Sequence, residues 1–234
     1  MHALVVGASG GLGAAFVSLL AADPRITHAT CWSRSETAAT GAKVSGARID
    51  LMDEATIETA AGNLAEVDLA IVATGLLHDG DRGPEKTWRS IDPAPMRRAF
   101  EINAIGPAIV AKHVLPHLAG NRRAVIAMLS ARVGSISDNR SGGWHSYRAS
   151  KAALNQIIRC LSIELAVRRP QAICVGLHPG TVDTALSRPF QVNVADGRLF
   201  TAEHAARCLL DVVDGLTPLQ SGRVFDWAGK EIPP

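Results

Sequence analysis

A short apolar run, Ala3-Leu-Val-Val, stops at Gly7, and Ala8, Ser9, Gly10, Gly11, Leu12 and Gly13 lead from it into a helical stretch over residues 14–22. Strand, glycine-rich turn and helix in that order constrain the fold more than anything else in the chain. They set a buried parallel strand against a helix that begins at its carboxyl end. Gly7 suits the tight exit from the strand, Gly11 a close approach of backbone to a pyrophosphate, and Gly13 the packing of helix on sheet. The helix N-terminus would then turn free N–H groups and a positive dipole end toward phosphates, with Ser9, Gly10 and Leu12 completing the loop. A flexible glycine turn without a ligand is the plain alternative. The spacing is Gly-x-x-x-Gly-x-Gly, not the Gly-x-Gly-x-x-Gly of other dinucleotide folds.

The alternation continues down the chain. Asp23-Pro24 breaks the first helix, and residues 28–32 read as a second strand ending at Ser33, Arg34 and Ser35. Many dinucleotide folds place an acidic residue there for a ribose 2′-hydroxyl. A cation flanked by hydroxyls suits a 2′-phosphate instead, the alternative being a solvated loop arginine; Glu36 lies past the turn. Residues 35–46 read as a loop, residues 47–50 as a short third strand closed by Asp50-Leu51, and Asp53 as the cap of a helix over 54–64. A fourth strand, residues 68–74, carries Ala73 and Thr74 at its end and stops at Gly75. After a polar loop over 76–92, Pro95 opens a long helix to about residue 118, with Asn103, Gly106 and a kink at Pro107. The fifth strand, residues 124–129, ends at Ser130, and the sixth, residues 172–177, leads to Pro179, Gly180, Val182 and Thr184. Residues 185–199 lack periodicity; Thr201 caps a helix over 202–213, and residues 222–227 form a last strand. The expectation is an α/β chain in one domain, 1–234: a doubly wound parallel sheet of about seven strands with helices on both faces. Ligands of such sheets bind beyond the carboxyl ends of the strands, where Gly7, Arg34, Asp50, Thr74, Ser130 and Pro179-Gly180 all fall.

Tyr147 and Lys151 stand four apart in the helical run that follows residues 134–143 and extends to about 167. That spacing puts both side chains on one helix face. An ammonium nearby favours phenolate and would bring a phenol down from its usual pKa of about 10. The pair is therefore a candidate acid/base unit, although the same spacing also occurs in a surface tyrosine beside a solvated lysine.

Composition narrows the remaining classes. A net charge of +2 over 234 residues is too balanced to point to nucleic acid or an anionic membrane. No apolar run approaches membrane-spanning length. Cys31, Cys160, Cys174 and Cys208 have no paired spacing for zinc or redox chemistry, which fits reduced thiols in the cytoplasm. A strand beginning almost at residue 1 leaves no room for a signal peptide. The histidines form no metal-ligand pattern, and His113 and His117 read as helix surface.

With these residues in place the chain resembles the short-chain dehydrogenase/reductase family over nearly its whole length. Gly7, Gly11 and Gly13 match the family's cofactor glycines, and Asp50-Leu51 its adenine contact. Asn103, Ser130, Tyr147 and Lys151 fall in the order of its catalytic tetrad. Pro179-Gly180 with Val182 and Thr184 matches the segment that holds a nicotinamide carboxamide. The run Ser-Tyr-Arg-Ala-Ser-Lys and the closing Gly-Lys-Glu-Ile-Pro look most similar to the C-factor-like and sniffer-like carbonyl reductase branch. The resemblance implies an oxidoreductase that interconverts a small-molecule carbonyl and alcohol by hydride transfer, and Arg34 favours NADP over NAD as its cofactor. Tyr147 would move the proton, and Lys151 would tune it and hold the nicotinamide ribose. Ser130 would hold the substrate oxygen, and Asn103 a water leading to solvent. The loop after Ser130 and residues 185–200 would wall the substrate. A homodimer or homotetramer through the helices of Asn103 and Tyr147 is the family habit, with monomers also known.

Two departures stand out. Val72-Ala73-Thr74-Gly75 replaces the family's Asn-Asn-Ala-Gly. Leu129-Ser130-Ala131 replaces a serine doublet, with alanine in the second, catalytic place, so Ser130 or Ser135 would have to serve, or the hydroxyl is missing. A regulatory dinucleotide-binding protein of the same fold is the other class to weigh. The complete Tyr147–Lys151 pair argues against it.

Overall fold

The computed structural model describes residues 1–35, 41–80, 83–195 and 197–234, so Glu36 lies outside the described residues. In chain order the strands and helices are β1 (His2–Val6), α1 (Gly11–Ala22), β2 (His28–Ser33), β3 (Val44–Arg48), α2 (Glu54–Gly62), β4 (Leu69–Val72) and α3 (Pro93–Phe100). There follow α4 (Gly106–Val114), β5 (Ala124–Leu129), α5 (His145–Arg168), β6 (Ala172–His178), β7 (Thr181–Val182), β8 (Leu199–Phe200), α6 (Ala202–Gly215), β9 (Val224–Asp226) and β10 (Glu231–Ile232). Eight strands form the main sheet in the order β10-β9-β6-β5-β4-β1-β2-β3, parallel except for β10. β7 and β8 pair separately.

The strands read as continuous apolar runs because both faces are covered. Ala3 and Val5 join a core with Phe16 and Val17 of α1 and Ala205 and Leu209 of α6. Leu4 and Val6 join the opposite core with Ile57 of α2, Val110 of α4, and Leu154 and Ile158 of α5. Strand order reverses between β1 and β4, opening the crevice where such sheets bind ligands. Close packing there depends on glycine. A Cβ on Gly13 would lie 2.1 Å from the Gly7 carbonyl oxygen, and Gly7 itself turns at φ 84°.

Several boundaries shift by one or two residues, and three differences from expectation have a clear physical reason. The main sheet has eight strands, not about seven, because the chain turns back after β9. Asp226 Oδ1 accepts the N–H groups of Ala228 and Lys230, both at 3.0 Å, and the two-residue β10 is too short to leave a period. β3 starts at Val44 rather than residue 47. As an edge strand paired only with β2, it tolerates Ser45 and Gly46. The helix expected from Pro95 starts at Pro93, capped by the Asp92 carboxylate, which accepts the Ala94 N–H at 2.9 Å. Its interruption is a π-turn over Glu101–Ile105, centred on Asn103 and ending just before Gly106-Pro107.

Candidate active site

Two clefts lie at the carboxyl edge of the sheet. One gathers Gly7, Ser9 and Gly10 from the first turn, Ser33 and Arg34 from β2, Asp50 and Leu51 after β3, and Ala73, Thr74 and Gly75 after β4. Val6, Ile49 and Ile102 complete its wall, and no sequence pattern marked them. Several features suit a dinucleotide. α1 opens at Gly10 with neither a side-chain cap nor an acid in its first turn, so its leading N–H groups are left for an anion. The Thr74 hydroxyl is buried without a partner among the described residues. The Asp50 carboxylate accepts the Met52 N–H at 2.9 Å through Oδ1, leaving Oδ2 for an external donor.

Arg34 is exposed at the rim of this cleft. Ser33 is not a free donor beside it, since its hydroxyl donates to the Ser35 carbonyl at 2.5 Å. Thr184 stands against the first turn of α1, where a Cβ on Gly11 would lie 2.9 Å from its Cγ2. Val182 is buried, and Gly180 turns at φ 76° against Phe200 and Trp227.

The second cleft, about 250 Å³, opens at Tyr147. Leu76, Leu77 and Pro84 of the loop after β4 wall it, with Ala94, Pro95 and Ala99 of α3. The walls expected from the loop after Ser130 and from residues 185–200 are not its lining; the second of these reaches the site indirectly. Phe190 packs on Trp144 with ring centroids 5.4 Å apart, and Trp144 meets the Tyr147 ring edge-on at 6.3 Å. His78 packs on Phe190 and bonds the Ala185 carbonyl at 3.1 Å.

Lys151 joins the clefts. Its ammonium donates to the Leu129 carbonyl at 2.8 Å and lies 6.0 Å from the centre of the Tyr147 ring. A Cβ on Gly75 would stand 3.7 Å from both Lys151 Nζ and Asn103 Oδ1. Burial pushes the Tyr147 phenol up to about 12 and the Lys151 ammonium down to about 7. Spacing alone suggested that the ammonium would bring the phenol down. In the chain without ligands, loss of hydration at both groups prevails.

Asn103 and Ser130 are committed to neighbours. The Asn103 amide clamps the Leu76 backbone, accepting its N–H at 2.7 Å and donating to its carbonyl at 2.8 Å, and donates to Ser150 Oγ at 3.0 Å. The Ser130 hydroxyl donates to Asn155 Oδ1 at 2.6 Å. Ser135 Oγ accepts the Asp138 N–H at 3.1 Å and faces the Pro234 carbonyl. Ala131 is buried beside them. Among the described residues no group of His, Cys, Asp or Glu is placed to hold a metal, and no helix is long and apolar enough to cross a membrane.

The profile of the short chain dehydrogenase family matches residues 1–194, and the chain belongs to that family of oxidoreductases. Among curated relatives it is similar to the C-signal of Myxococcus xanthus, 42% identical over 144 residues that cover 61% of this chain and 81% of the relative. It is also similar to the 1-hydroxy-2-glutathionyl-2-methyl-3-butene dehydrogenase of Rhodococcus sp. (strain AD45), 32% identical over 94% of this chain and 93% of that one. Among solved structures, the carbonyl reductase Sniffer of D. melanogaster matches with TM-score 0.86 at 21% identity, over 100% of this chain and 99% of its own. An NADPH-bound carbonyl reductase from chicken fatty liver matches with TM-score 0.83 at 24% identity, over 100% of this chain and 94% of its own.

Proposed function

We propose that the protein interconverts a small-molecule carbonyl and the corresponding alcohol, using NADP(H) in preference to NAD(H). One observation carries the reading: Tyr147 lines the cleft at Leu76, while its partner Lys151 stands behind Gly75 in the wall of the other cleft. An acid/base pair thus bridges the glycine-rich groove and a largely apolar pocket. The bound NADPH of the chicken carbonyl reductase and the dehydrogenase activity named for the Rhodococcus relative support it.

The cofactor would supply the hydride at its nicotinamide. Arg34 would hold a 2′-phosphate, the first turn of α1 the pyrophosphate, and the segment from Pro179 to Thr184 the carboxamide. Tyr147 would give its phenolic proton to the carbonyl oxygen, or take one from the alcohol in reverse. Lys151, charged beside it, would stabilise the phenolate left behind. The Asn103 side chain is spent on Leu76. A water relay from Lys151 would therefore run from the Asn103 carbonyl, which Pro107, lacking an N–H, does not bond in the α-helical pattern.

Ser130 is the weakest member of the tetrad in this geometry. A dedicated oxyanion donor is worth about 10²–10³ in kcat. Ser130→Ala should cost less, about tenfold, because the hydroxyl must leave Asn155 before it can serve substrate. NADPH affinity should stay unchanged; a larger loss on Ser135→Ala would transfer the role.

Following NADPH absorbance across a panel of aldehydes and ketones tests the whole reading. Tight NADPH binding with no turnover on any of them would favour the second reading, a signalling protein of the same fold, which the similarity to the C-signal supports.

A further inference from the structure

We propose that Glu85 is a positioning residue for Tyr147, capping the catalytic helix from the loop after β4 and holding the left-handed turn that aims the tyrosine. The proposal rests on the acid/base reading of Tyr147 for its effect on turnover, but its geometry stands without that reading.

Three consecutive residues, Gly142, Gly143 and Trp144, have φ of 61°, 62° and 52°. Glycine visits that region freely, whereas a tryptophan is held there by its surroundings. Trp144 is the only non-glycine with positive φ among the described residues, and it occupies the N-cap of α5 without a side-chain oxygen to offer. Glu85 supplies what is missing. Its carbonyl accepts the Trp144 N–H at 2.5 Å, its Oε2 accepts the Ser146 N–H at 3.1 Å, and its Oε1 accepts the Ser146 hydroxyl. A Cβ on Gly143 would meet the Lys86 and Glu85 carbonyl oxygens at 3.2 and 3.4 Å, so the two segments touch along their backbones.

The Glu85 side chain is buried, yet it stays ionised at neutral pH. Burial works to raise its pKa, but the bonds from the Ser146 hydroxyl and N–H, with its own backbone N–H and the nearby His145, together hold it below the usual range. An anion at a helix N-terminus is also favoured by the dipole. Tyr147 is the next residue after Ser146, and all three line the same cleft. Register of the phenol therefore depends on a carboxylate that meets Ser146 from 61 residues earlier in the chain.

Tyr147 is the only tyrosine in the sequence, so tyrosine labelled at the ring Cζ alone yields one NMR signal that reports its setting without any assay of turnover. In Glu85→Ala that signal should move, because the Trp144 ring beside it is released. Turnover should fall about tenfold, as expected for a misplaced catalytic group, with NADPH affinity unchanged. Glu85→Gln keeps one acceptor for the Ser146 N–H and should restore both the signal and most of the turnover. If Glu85→Ala fails to fold, Ser146→Ala takes its place, with a smaller shift of the same signal expected. An unmoved tyrosine signal in Glu85→Ala, or in Ser146→Ala where that variant replaces it, overturns the proposal, as does a parallel loss of NADPH binding. A moved signal in a chain with no carbonyl reductase activity upholds the positioning and overturns only the acid/base reading.

Discussion

Tyr147→Phe should lower turnover by roughly 10²–10⁴, the range for losing a positioned general acid, while NADPH affinity stays within about twofold. The substitution removes one hydroxyl and keeps the ring that meets Trp144 edge-on, so the apolar pocket and the helix start persist. Steady-state kinetics with NADPH and a carbonyl substrate, paired with direct titration of NADPH, separate the two quantities. Near-normal turnover would remove Tyr147 from the mechanism. Lys151→Ala makes a useful contrast, because Nζ lies near Gly75 in the wall of the glycine-rich cleft as well as near the Tyr147 ring. It should weaken NADPH binding and turnover together.

The second large effect belongs to Arg34→Ala, which should weaken NADPH binding by roughly 10- to 150-fold and leave NADH nearly untouched. A guanidinium on a phosphate makes charge-assisted hydrogen bonds worth about 1.5–3 kcal/mol, and that energy sets the ratio. The geometry concentrates the effect on this residue. The Ser33 hydroxyl, a candidate neutral donor by sequence, is already committed to the Ser35 carbonyl. The first turn offers Ser9 and Gly10 but no second cation. Dissociation constants for both cofactors, before and after substitution, decide the matter. Equal losses for NADPH and NADH would mean that Arg34 shapes the loop or contacts adenine.

Much of the fold was legible because it rests on patterns confined to a few residues. Continuous apolar runs ending in glycine or a small polar group marked β1, β4, β5 and β6, and the alternation with helices implied the doubly wound sheet. Where the strand is an edge, as in β3, the apolar signal fades, and the boundary moved. β10 spans two residues and has no period at all.

The first cleft was legible for the same reason, since most of its contributors stand at or just beyond strand ends; Ile102, from the π-turn, is the exception. The second cleft was not. Its walls come from a loop and a helix whose contact with Tyr147 depends on folding, and the Glu85–Ser146 pair links distant segments with no local signature. Hydrogen-bond direction was equally hidden. Sequence can nominate Ser130 and Asn103, but only the folded chain shows that one donates to Asn155 and the other clamps Leu76.

The buried Lys151–Tyr147 pair makes the unliganded protein a proton-linked machine. The lysine keeps its proton to about pH 10.5 when unfolded but gives it up near 7 when folded, so stability climbs with pH across that interval. The phenol works in the opposite sense above pH 10, where the folded chain holds a proton, until about 12, that the unfolded chain has lost. Together they place the best pH for this pair near 10. On the proposal that Nζ donates to the ribose of a bound dinucleotide, binding would favour the ammonium and take up protons from neutral solution. The rise in Tm on adding NADPH should therefore be largest near pH 7 and shrink toward pH 10, and calorimetry in buffers of different ionisation enthalpy should count the proton directly.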